Sequence, residues 1–203
     1  MSLFYFLDMI GTVAFGVTGG LAGIKKRMDI YGVAVLAIVT AVGGGTVRDV
    51  LVGDVPPFFF EDYNYILVSV TCAVLVFKFH DKFEKKLKLF LVMDAVGLGV
   101  FTVTGVSVGI AHDVGWLGSI MLGVITGTFG GMIRDVLRQE IPLVLTREIY
   151  ALASIAGGFL YCVLYEIGVT EWLTGIVTAS VVFSLRVTAI IKNWSLPSVD
   201  LEK

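Results

Sequence analysis

Long apolar stretches alternate along the chain with short polar connectors, and each stretch is close to the roughly 20 residues needed to cross the hydrocarbon of a bilayer. Laid end to end they predict seven helical spans, at approximately residues 3 to 24, 31 to 52, 63 to 79, 89 to 110, 116 to 137, 148 to 166 and 171 to 191. The second and fifth are interrupted in a way that no ordinary helix favours. The second carries Gly43-Gly44-Gly45-Thr46-Val47-Arg48-Asp49, and the fifth Gly127-Thr128-Phe129-Gly130-Gly131-Met132-Ile133-Arg134-Asp135. Glycine inside a helix costs about 1 kcal/mol relative to alanine, and an ionised side chain at bilayer depth costs at least about 2.5 kcal/mol. Something in the fold must offset both.

The connectors divide by charge. Lys25-Lys26-Arg27 follows the first span, Lys78, Lys82, Lys85, Lys86 and Lys88 the third, Arg138 and Arg147 the fifth, and Lys192 the seventh. The others carry Asp54, Glu61 and Asp62, then His112 and Asp113, then Glu166 and Glu171. Basic residues on alternate sides predict an outside N-terminus and a cytoplasmic C-terminus, with Trp116 and Trp172 at the outer interface and Trp194 at the inner one. The lysine cluster after the third span is also suited to attract anionic lipid headgroups. His80 and His112 read as isolated loop residues, and Pro56-Pro57 and Pro142 as helix stops.

Composition narrows the classes. Of 203 residues 57% are hydrophobic and only 16% charged, against the usual 25% or so in soluble domains. A formal charge of -2 argues against a nucleic-acid partner. Cys72 and Cys162 fall inside spans with no accompanying histidine cluster, and read as small hydrophobes. The N-terminus lacks a basic region and carries Asp8 early, unlike a cleaved signal peptide. No phosphate loop, metal-ligand spacing, cofactor motif or nucleophile with a base is evident, so no enzymatic activity is expected.

Sliding the sequence on itself by 86 residues pairs Asp8 with Asp94, Phe15 with Phe101, Thr18 with Thr104, Thr40 with Thr126, Gly44-Gly45 with Gly130-Gly131, Arg48-Asp49 with Arg134-Asp135, and Pro56 with Pro142. Each copy holds three spans, about 3 to 79 and 89 to 166. An odd number places the second copy upside down relative to the first, with the span at 171 to 191 left over. In folds of this kind the pathway lies near the midplane, between the halves, at interrupted helices in corresponding positions.

The patterns Gly16-x-x-x-Gly20, Gly19-x-x-x-Gly23 and Gly105-x-x-x-Gly109 read as helix-packing faces. Gly43, Gly44 and Gly45, with Gly130 and Gly131, point to different helix faces and instead predict a kinked or unwound backbone beside a water-lined cavity. Neighbouring side chains diverge on a helix, so Arg48 and Asp49 are expected to find partners other than each other. Asp8 shares their half of the membrane, and Asp94 shares that of Arg134 and Asp135. Two charge clusters follow, one on each side of a constriction, and their four aspartates outnumber the two arginines and favour cations. Static ion pairs holding the bundle together are an equally open reading. Thr18, Thr40, Thr104 and Thr126 are repeat-related hydroxyls placed to line such a pathway, unless each bonds its own helix.

At these motifs the chain resembles the prokaryotic members of the trimeric intracellular cation (TRIC) channels, related to a bacterial membrane domain also labelled a glycine transporter. The resemblance rests on Gly43-Gly44-Gly45-x-x-Arg48-Asp49 and Gly130-Gly131-x-x-Arg134-Asp135 within two three-helix repeats, and covers nearly the whole chain. It implies a homotrimer, each subunit with its own pore kinked at the glycines of the second and fifth helices and permeable to potassium and sodium. The sequence reading is therefore a single all-α transmembrane domain over residues 1 to 203, conducting monovalent cations. A carrier for glycine or another small solute is the chief alternative, and a helical scaffold without a conduit the third.

Overall fold

The computed structural model describes residues 3–80, 87–146 and 149–194. Lys82, Lys85, Lys86 and Arg147, part of the basic connectors, lie outside the described residues. Among the described residues there are nine helices and no strand. They are α1 (Leu3–Lys25), α2 (Ile30–Val52), α3 (Phe58–Glu61), α4 (Asn64–Lys78), α5 (Leu87–Ala111), α6 (Gly115–Leu137), α7 (Leu143–Thr146), α8 (Ile149–Glu166) and α9 (Glu171–Lys192). Six are long and apolar enough to cross a membrane, whereas the predicted third span appears as the 15-residue α4.

Local chemistry sets several boundaries. Asp29 accepts a hydrogen bond from the Gly32 amide at 2.7 Å and starts α2. Gly53, at φ 82°, ends it in the left-handed conformation that suits a residue without Cβ. The helix thus stops before Pro56-Pro57, and the prolines lead into α3 rather than terminating α2.

Four helices form the centre: α1 packs on α2, α5 on α6, and the two pairs meet through α1 against α5 and α2 against α6. Residues 86 apart meet each other reciprocally at this junction. The Phe15 and Phe101 rings sit edge to face with centroids 5.1 Å apart. A Cβ on Gly44 would collide with the Thr126 carbonyl oxygen, and one on Gly130 with the Thr40 carbonyl oxygen. Gly97 abuts the Phe15 ring and Gly11 the Phe101 ring.

These contacts give the glycines a role that differs from the expected one. Both α2 and α6 run as continuous helix through Gly43–Gly45 and Gly130–Gly131, with no unwound turn. The missing side chains let two backbones touch, and the packing at the crossing offsets the propensity cost. The GxxxG faces are likewise spent inside the chain: Gly19 and Gly23 pack on α2, Gly16 and Gly20 on α4, and Gly105 and Gly109 on α6.

Alanine at Gly44 or Gly130 should therefore destabilise the protein by about 1–3 kcal/mol through overpacking. Gly20→Ala, whose added Cβ would lie 3.4 Å from the Val76 Cβ, should be close to neutral. Unfolding of the purified variants in denaturing detergent measures the difference.

Candidate functional site

Two clusters of buried charge flank the glycine crossing. In the first, α2 ends by presenting Arg48 and Asp49, both nearly inaccessible to solvent. Contrary to the expectation from helix geometry, the two pair with each other. Arg48 Nε donates to Asp49 Oδ1 at 2.8 Å, and Arg48 Nη2 lies 2.7 Å from the same oxygen. Their Cβ atoms diverge, but the arginine side chain is long enough to fold back around the turn. Asp49 Oδ2 accepts the Phe58 amide at 2.9 Å, at the start of α3, and the Arg48 guanidinium lies 5.5 Å from the Phe58 ring centre.

The second cluster repeats this chemistry with additions. Arg134 Nε donates to Asp135 Oδ1 at 2.8 Å, and Asp135 Oδ2 accepts the Leu143 amide at 3.0 Å, at the start of α7. Here the arginine also reaches the first helix of its repeat. Arg134 Nη1 lies 2.8 Å from Asp94 Oδ1 on α5 and 3.2 Å from Thr18 Oγ1 on α1, with the guanidinium 4.7 Å from the Phe90 ring centre. Arg138 pairs with Asp135 at 3.4 Å and Glu140 at 2.8 Å, and Glu140 with Lys26 at 3.0 Å. Three acids and three bases are linked in this chain of pairs, and a fourth buried base, Arg186 on α9, lies 4.6 Å from the Tyr150 ring centre.

The first cluster differs at Asp8. No described basic side chain forms an ion pair with it; Asp8 Oδ1 accepts the Thr104 hydroxyl at 2.7 Å and Oδ2 the Tyr65 hydroxyl at 3.3 Å. The expected Asp8–Arg48 pair is therefore not formed, because Asp49 and Phe58 hold the guanidinium. A cavity of about 440 Å³ opens beside this cluster, lined by Arg48, Asp49, Asp54, Phe58, Glu61 and Val108.

The other nominated residues are placed as follows. Thr40 and Thr126 donate to the Leu36 and Leu122 carbonyls of their own helices at 2.6 and 2.7 Å. Thr18 and Thr104 also bond their own helices, at the Phe15 and Val100 carbonyls, and in addition reach Arg134 and Asp8. Gly43 faces Ile133 and Gly130, Gly45 faces the Phe58 ring, and Gly131 lies near the Arg134 guanidinium and the Tyr150 hydroxyl. His112, read as isolated, pairs with Asp54 at 3.2 Å. Among the described residues no group of histidine, cysteine and carboxylate side chains suited to holding a metal ion was found.

Sequence reasoning missed Phe58, Phe90, Arg138, Tyr65 and Tyr150. Tyr65 serves Asp8, and the buried Tyr150 lies within electrostatic reach of Asp94 and Arg134, so the third helix of each repeat directs a tyrosine at the aspartate of the first. These tyrosines are 85 residues apart rather than 86, as are Phe58 and Leu143. One extra residue, Pro57, shifts the register. Searching for repeats with a one-residue gap after Pro56 would have exposed both pairs.

Comparison with known proteins places this arrangement. A family model described as "Glycine transporter" matches twice, over residues 5–81 and 91–166. The UPF0126 inner membrane protein YadS of Escherichia coli K12 is 40% identical, over 99% of this chain and 98% of its own. A structure solved to explain conductance through TRIC cation channels superposes with TM-score 0.91 at 35% identity, covering all of both chains. The TRIC orthologue of Rhodobacter sphaeroides does so with TM-score 0.91 at 36% identity, covering 96% of this chain and 100% of that one. Fold and site together define an integral inner-membrane protein of TRIC architecture. The chain belongs to the glycine transporter family and is similar over nearly its whole length to the solved prokaryotic TRIC channels.

Two outcomes follow from the charge geometry. Arg134→Met takes the basic partner from the buried Asp94 and should cost about 3–5 kcal/mol, whereas Lys26→Ala removes a partly exposed pair and should cost under about 1 kcal/mol, both measured by detergent unfolding. His112 lies outside the spans, and its bonds to the Val108 carbonyl and to Asp54 raise its pKa above the ordinary value. A raised pKa stabilises the fold fully below the unfolded value of about 6.5, and that stability is lost as pH rises through the folded value. Melting temperature should accordingly fall from pH 6 to pH 8 by more in wild type than in His112→Ala.

Proposed function

We propose that this protein is a monovalent cation channel, passing potassium and sodium down their gradients, and that it works as a homotrimer with a pore in each subunit. The observation that carries the reading is the charged cavity that reaches the Arg48–Asp49 pair at one end of the central crossing, while the equivalent pair at the other end is held in an extended network of ion pairs. A scaffold has no use for a polar cavity leading to buried ions. Lined by Asp49, Asp54 and Glu61 against Arg48, such a cavity attracts cations and repels anions.

On this reading the chain has seven spans, α4 being the short third, arranged as inverted three-helix repeats. The double match of one family model and the reciprocal contacts at Gly44 and Gly130 support the duplication. The Arg48 cluster faces outward and the Arg134 cluster the cytoplasm, the N-terminus lying outside and the C-terminus inside. The conducting state bends α2 and α6 at their glycines, where the two backbones slide past each other. The pathway passes between the halves, past Thr18, Thr40, Thr104 and Thr126, and needs no cofactor. Anionic lipids attend the cytoplasmic surface.

The family description favours a second reading, a carrier in which the same halves alternate in moving a small zwitterion such as glycine. Proteoliposomes decide between the two. A channel gives unitary currents that reverse near the potassium equilibrium potential without any organic solute. Saturable glycine uptake with no unitary current would establish the carrier instead.

A further inference from the structure

We infer that Asp8, Thr104 and Tyr65 form a binding site for one monovalent alkali cation, a discrete resting place on the pathway. The inference rests on the cation-conducting reading. It is carried by the difference between the two repeats, which compose the same pair of oxygens and treat it differently.

In the second repeat the pair is Asp94 Oδ1 and Thr18 Oγ1, and a cation is visible between them. Arg134 Nη1 lies 2.8 Å from the carboxylate and 3.2 Å from the hydroxyl. Thr18 spends its own proton on the Phe15 carbonyl at 2.9 Å, leaving a lone pair for the guanidinium. The matching oxygens of the first repeat are Asp8 Oδ1 and Thr104 Oγ1, 2.7 Å apart. Arg48 does not enter between them, since Asp49 and Phe58 hold it aside. Thr104 has a choice of acceptor: besides Asp8, the Val100 carbonyl lies 3.2 Å from its Oγ1. Turning the proton to Val100 gives Thr104 the configuration that Thr18 already adopts next to a cation.

Charge selects the class of ion. Arg48 and Asp49 cancel each other, so an ionised Asp8 adds a negative charge that no described basic side chain pairs, in a region where an unpaired carboxylate is expensive. One monovalent cation neutralises it. The donors, a carboxylate, an aliphatic hydroxyl and the Tyr65 phenol, are hard oxygens suited to alkali ions rather than to soft metals. Tyr65 is fixed for this task, packed edge to face on Phe58 with centroids 4.5 Å apart and on Tyr5 at 6.1 Å.

The test is thermal denaturation of the purified full-length protein in detergent, titrated with KCl or NaCl against N-methylglucamine chloride at constant ionic strength. Wild type should show saturable stabilisation by the alkali cation. Asp8→Asn should raise the half-saturating concentration at least about tenfold, the effect of losing one charge-assisted contact of about 1.4 kcal/mol. Thr104→Val and Tyr65→Phe keep the charge and should each raise it several-fold, which preserves the test if Asp8→Asn does not fold. Glu166→Gln, which removes an exposed carboxylate at the end of α8, should match wild type. Ion dependence that is absent in wild type, or unchanged in Asp8→Asn and Thr104→Val, overturns the site. Potassium flux in vesicles from the same preparation is read separately. Flux with no Asp8-dependent binding removes the site and leaves the channel, while binding without flux removes the channel and leaves the site.

Discussion

Everything at the centre of this molecule follows from the cost of placing charge where water is scarce. A single buried ion costs several kcal/mol, so each must be met by an opposite charge or several hydrogen bonds. The Arg134 end meets the requirement through a chain of pairs running from Asp94 to Lys26 at the edge of the bundle, although among the described residues Asp94 Oδ2 and Arg138 Nε stay without a hydrogen bond. The Arg48 end meets it only in part, for among the described residues Asp8 is served by two hydroxyls. Helix positions that look incidental, such as Thr18 and Tyr65, are fixed by this accounting.

The glycines make the accounting possible. Arg134 reaches both α5 and α1 only because α6 lies against α2 and α5 at backbone distance, with Gly130 on the Thr40 carbonyl and Gly105 on the Leu122 carbonyl. A Cβ at any of these positions would push the helices apart and lengthen ion pairs that depend on separations near 2.8 Å. Close packing and charge pairing are one constraint, expressed at two kinds of residue.

Much of this was legible in the sequence. The apolar stretches marked the long helices because hydrocarbon thickness fixes their length, and an offset of 86 residues identified which positions correspond. The partners of each charge were less legible. Adjacent Cβ directions suggested that Arg48 and Asp49 diverge, but they say nothing of how far a guanidinium reaches back. Three successive glycines signalled an unusual backbone without showing that the unusual feature was a neighbouring chain. Tyr65 and Tyr150 stayed hidden because Pro57 breaks the register before them.

That one extra proline has a mechanical consequence. It sets Phe58 where the other repeat has Leu143, so Arg48 is braced by an aromatic ring on the four-residue α3, whereas Arg134 is braced by Phe90 on the 25-residue α5. Segments with few buried contacts open at far lower free energy than long packed helices. The two ends are thus mounted unlike: one guanidinium rests on a four-residue helix, the other on a helix that runs the length of the bundle.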